Sequence, residues 1–138
     1  MVTIDTYART ASNAQIIANC LFGELSHDVQ GINKAIEDGQ KNGVRHPELV
    51  WPDCDETAWQ CQSAIILLMR DLETLKNQTL DTDELAGRFF QAEAALRLVK
   101  AAAPVSAAYV GRCLDAAIKS ASVFGTLVMD AISIKGTA

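Results

Sequence analysis

The chain has 138 residues, 49% hydrophobic and 21% charged, which is the composition of one globular domain and not of a disordered chain. Its net charge is −5, from 12 basic against 17 acidic residues. The lysines and arginines are scattered singly, so a basic stripe for nucleic acid is excluded and a basic protein partner fits better.

Residues 4–40 read as one long helix. Ile4, Tyr7, Ala11, Ala14, Ala18, Leu21 and Leu25 recur at spacings of three and four, followed by Asp28, Ile32 and Ala35. Ile17, Val29 and Ile36 widen the stripe, and Asp28 is the one acid expected in the seam. Such a helix is roughly 55 Å long at 1.5 Å per residue. Gly23 invites a kink, and Gly39 with Gly43 supplies a stop.

Residues 44–55 are predicted as a loop. His46-Pro47 and Trp51-Pro52 bracket it, because proline pushes the preceding residue out of the helical region. Asp53 is the expected N-cap of the second helix, Glu56 three residues on completes a capping-box-like pair, and Asp55 sits near the positive helix end. Cys54 at this helix start is a candidate reactive thiol with His46 as its base, but the flanking acids Asp53, Asp55 and Glu56 oppose a thiolate. A loop and helix start is therefore preferred to a catalytic pair.

The second helix carries Ala58, Cys61, Ile65, Leu68, Leu72 and Leu75 in register, with Met69 beside them, and closes at Asn77 to Thr79. The third carries Leu85, Phe89, Ala92, Leu96, Val99 and Ala103, behind a capping-box-like Asp81 and Glu84. Pro104 suits the first turn of a fourth helix over residues 104–135. Val110, Cys113, Ala117, Ala121, Phe124, Val128 and Ala131 are its expected inward face.

Four helices joined by short connections, with no strand pattern, predict a single all-α domain over residues 1–138. The expected architecture is an antiparallel four-helix bundle with a long first helix. The first helix outruns the second and third, so either the 44–55 loop covers its end or a second chain does; a homodimer is the expectation.

The N-terminal MVTIDTYARTASNAQ has no basic segment before an apolar run. The longest apolar-rich stretch, residues 121–134, is short and contains Asp130. Neither a signal peptide nor a membrane span is expected, and the location is expected to be cytoplasmic. Cys20, Cys54, Cys61 and Cys113 show no CxxC spacing for zinc. No cofactor and no metal are expected.

Glu24 and His27 form a Glu-x-x-His pair on the first helix. A di-iron bundle needs two such pairs and two further glutamates, and the only other histidine is His46. Glu24, His27 and Asp28 therefore carry only an alternative reading, a bundle that binds a small molecule or metal and could be enzymatic. The preferred reading is a small acidic helical protein that works by binding another protein, of the inhibitor, immunity, antitoxin or mobile-element counter-defence type. Trp51, Trp59, Asp55 and Glu48 are its candidate contact residues, joining aromatic anchors to acids. For the two tryptophans themselves, folding back to cap the bundle core is the favoured expectation over exposure.

Overall fold

The computed structural model describes residues 4–42, 56–103 and 107–132, with side chains described for 13–41 of the first helix. The described residues form four helices and no strand: α1 (Ile4–Asn42), α2 (Glu56–Leu75), α3 (Thr82–Ala102) and α4 (Ala108–Ile132). The fold is an all-α four-helix bundle. Every helix pair touches except α2 and α4, so the helices follow one another around the bundle and those two stand on opposite corners.

Side-chain bonds fix the directions. Gln15 meets Gln78, Ser26 meets Glu73, and Gln40 meets Gln62, so α2 runs antiparallel to α1. Lys100 on α3 pairs with Asp115 on α4, and Cys61 Sγ on α2 lies 3.7 Å from the Val99 carbonyl on α3. Each helix thus returns beside the one before it.

The apolar stripes meet in one core. Ala14, Ala18, Phe22, Leu25, Val29, Ile32 and Ile36 of α1 are fully buried, together with Ile65, Leu72, Leu96, Val110 and Leu114. Phe22 stacks on Phe89 with ring centroids 4.1 Å apart, and Phe124 meets Phe89 edge-on at 6.2 Å. Three helices are joined by this aromatic group, each buried ring contributing about 1.5–3 kcal/mol through burial alone.

The predicted faces of α2 and α3 match the buried ones, apart from half-buried Leu68 and Ala103. The seams of α1 and α4 differ in detail: on α1 Ile17 is exposed and Leu21 half-buried. Asp28 is exposed and does not lie in the α1 seam. At 100° per residue the seam passes through Phe22, Leu25, Val29 and Ile32 instead, and Asp28 turns outward. On α4 the expected Val110, Ala117, Ala121 and Val128 are buried, but the buried face extends towards Leu114, Ile118 and Gly125, while Cys113, Phe124 and Ala131 are half-buried.

The helix starts differ too. Asp81 is the N-cap of α3, but its side chain makes no cap hydrogen bond. The Glu84 N–H instead donates to the Asp81 backbone carbonyl at 2.8 Å. The helix α4 begins at Ala108 rather than at Pro104, with Ala107 still outside it. Ala103 is extended at φ −64° and ψ 145°, the restriction that a following proline imposes. Pro104 itself, the predicted 44–55 loop and the Asp53 cap lie outside the described residues.

The turn from α2 to α3 is clasped by α1. Gln15 Nε2 donates to the Gln78 carbonyl at 3.0 Å, and Gln15 Oε1 accepts the Leu80 N–H at 2.9 Å. One side chain thereby satisfies two backbone groups that the turn leaves free. It also fixes level: α1 continues beyond the turn by residues 4–14, about 16 Å at 1.5 Å per residue.

Candidate functional site

Trp59 lies in the first turn of α2 and is 65% exposed. The expected burial of Trp59 as a core cap is therefore wrong. The reason is register: Ala58 and Cys61 occupy the inward positions, and Trp59 sits about 100° round the helix from Ala58. Trp51, Asp55, Glu48, Cys54 and His46 lie outside the described residues. Trp59 is thus the one member of the expected contact set whose position is described.

Its surroundings are tied into the bundle. Cys61 is buried, its thiol directed at the Val99 carbonyl. Gln40 near the end of α1 donates to Gln62 Oε1 at 3.1 Å, tying the two helices at this level. Glu56 is exposed in the first turn, where a carboxylate meets the positive end of the helix. From residue 57 to residue 69 α2 carries no charged side chain. Leu67 on the same helix is also mostly exposed, and Ile66 is half-buried.

Glu24, His27 and Asp28 are all exposed. With Cys20 and Gly23 they line a shallow depression on the outer side of α1, so all its walls come from one helix. They do not face the bundle interior. Among the described residues no group of three His, Cys, Asp or Glu is placed to hold a metal ion.

The buried polar residue of the core is Ser26, with no exposed surface, and the sequence reading missed it. Ser26 Oγ donates to Glu73 Oε1 at 2.7 Å, and Gln30 Nε2 donates to the same oxygen at 3.0 Å. Lys76 Nζ donates to Glu73 Oε2 at 2.7 Å. These three donors favour the carboxylate, Lys76 most strongly, and hold Glu73 below the usual glutamate range. Sequence spacing gave one usable signal: Ser26 stands four residues after Phe22, about 40° round the helix from it, at the edge of the buried stripe.

Beside this network an open groove of about 740 Å³ runs between α1 and α2. Asn33, Met69 and Glu73 line it together with Lys34, Lys41 and Arg70. Asn33 Nδ2 donates to Glu37 Oε1 at 3.4 Å, while Asn33 Oδ1 is buried without a partner. The groove alternates acids and cations, so it presents no single charge for a ligand to recognise.

No family model matches the chain, and neither a curated protein nor a solved structure matches it. None of the described helices is long and apolar enough to cross a membrane.

Proposed function

We propose that this chain acts by binding another protein, with the start of α2 as its contact surface. One observation carries this reading: a tryptophan ring, 65% exposed, held on a rigid helix of the bundle. Water-exposed indole is costly, and covering it is among the most effective single contributions to a protein interface. The ring is fixed by a helix whose inward face is locked in the core, so docking orders little that was free. Glu56 stands in the same first turn, and the sequence adds Glu48 and Asp55 just before it. Acids close in sequence to an aromatic anchor suit a basic partner, which they would steer during encounter. Inhibitor, immunity, antitoxin and counter-defence proteins work in this way, without catalytic groups of their own. In the same reading the chain is a homodimer, and its cellular location is the cytoplasm.

The test compares variants in one capture experiment from extract of the native host. Trp59→Ala should abolish capture of the partner with the helical circular dichroism spectrum unchanged. Glu48→Lys with Asp55→Lys should weaken capture, more at low salt than at high salt. Capture that survives both changes at full strength would remove the start of α2 as the contact.

A further inference from the structure

We propose that, while no partner is bound, the Trp59 face of α2 is covered by α2 of a second copy, laid antiparallel across a two-fold axis at Ser63. This rests on the reading of that face as a binding surface and concerns its regulation.

The outer face of α2 is symmetric in sequence. Glu56, Trp59, Ser63, Leu67 and Arg70 follow one another at spacings of three, four, four and three. At 100° per residue all five fall within an arc of about 80°, on the side opposite buried Ala58, Cys61, Ile65 and Leu72. Trp59 and Leu67 are 65% and 64% exposed, with half-buried Ser63 between them. Glu56 and Arg70 are exposed at the two ends. The order is acid, apolar, small, apolar, cation. Turned end for end on a second copy, this order matches itself. Glu56 of each copy meets Arg70 of the other, Trp59 meets Leu67, and the two Ser63 side chains meet at the axis. An isologous contact requires this reciprocity. A small residue at the centre also lets the two helix axes approach closely.

Charge selects the occupant. Residues 57–69 hold no charged side chain, so two chains of net charge −5 meet there without setting acid against acid. At the rims, neither Glu56 nor Arg70 has an ion-pair partner among the described residues. The antiparallel pairing gives each of them one of opposite sign. A basic partner suits the start of α2 but opposes Arg70; a second copy satisfies both ends.

Size makes the pairing reversible. From Glu56 to Arg70 the contact is about 21 Å long at 1.5 Å per residue. A single helix pair of this length belongs with small, transient interfaces. The second copy therefore shields the indole at high concentration and yields, by mass action, to a partner that binds the start of α2 more tightly.

Light scattering of the full chain should give a mass that rises from 14.9 kDa at about 1 μM towards twice that value at several hundred micromolar, as for a small interface. Trp59→Ala should raise the dissociation constant about a hundredfold, the effect of losing a central aromatic anchor. Arg70→Glu should raise it about tenfold or more, by setting acid against acid at both ends. Arg70→Glu combined with Glu56→Lys should bring it back close to the value of the unaltered chain. Leu98→Asp, at a position 73% exposed on α3, should leave the mass unchanged. A monomer at every concentration, or a dimer that neither Trp59→Ala nor Arg70→Glu weakens, would overturn the pairing. A dimer that Arg70→Glu weakens and the double variant does not recover would overturn the antiparallel register. The recovery, in a chain that captures no protein from host extract, would uphold the pairing and overturn the partner reading instead.

Discussion

At Gly125 α4 lies tightly against α3, and adding one methyl group there tests the packing directly. A Cβ at Gly125 would lie 2.8 and 2.9 Å from the ring edge of Phe90 and 3.2 Å from Phe89 Cβ. Alanine is favoured over glycine in a helix interior by about 1 kcal/mol. Against this stands overpacking, which costs about 1–3 kcal/mol when a well-packed site must take an extra methylene. Phe90 is partly exposed and its ring edge can swing away, but Phe89 Cβ belongs to the buried backbone face of α3 and cannot. The contact with Phe89 therefore decides the sign, and Gly125→Ala should destabilise by about 1 kcal/mol.

The internal control is Gly87→Ala on α3, where a Cβ meets nothing within 4 Å. It should stabilise by up to about 1 kcal/mol, since only helix propensity changes. Propensity cancels between the two substitutions, so their difference of about 1–3 kcal/mol isolates the steric contact. Urea unfolding followed by circular dichroism gives both values from shifts in midpoint at constant slope. In a Phe90→Ala background the Gly125→Ala penalty should shrink, because two of the three close contacts are then gone. If Gly125→Ala stabilised the chain as much as Gly87→Ala, the close approach of α3 and α4 described here would be refuted.

Phe22→Ala should cost about 3–5 kcal/mol in the same unfolding assay, because it empties the fully buried stack on Phe89. Trp59→Ala should change stability by less than about 0.5 kcal/mol, as for an exposed side chain; a loss of core size would mean that the ring is buried in solution. Glu73 predicts an acid response: its folded pKa lies below 4.5, so its stabilising share is present above that pH and is lost as pH falls through the lowered value. Melting temperature should accordingly fall more steeply below about pH 4.5 in the unaltered chain than in Glu73→Gln, and parallel curves would show that the contacts of Glu73 with Ser26, Gln30 and Lys76 do not persist.

The bundle was legible because a repeating burial pattern leaves a repeating trace. Ala58, Cys61, Ile65 and Leu72 could be assigned to one face from spacing alone, since four consistent positions outvote any local exception. Single positions have no such vote. Asp28 fits the three-four spacing as well as Val29 does, and a shift of one residue turns a helix by 100°, so spacing could not choose between a seam acid and an outward one. The same ambiguity hid Ser26, which is buried because Glu73 on another helix supplies an acceptor 47 positions away. Trp59 shows the converse. Its size argued for burial, yet the inward positions beside it were already taken by Ala58 and Cys61, so hydrophobicity lost to register. A large side chain that register forces outward, on a helix that cannot rotate without expelling its own core, is held exposed at the expense of solvation. That is the physical ground for proposing it as a surface that another protein covers: spacing already put Trp59 one step off the seam, and the structure adds how far it is exposed.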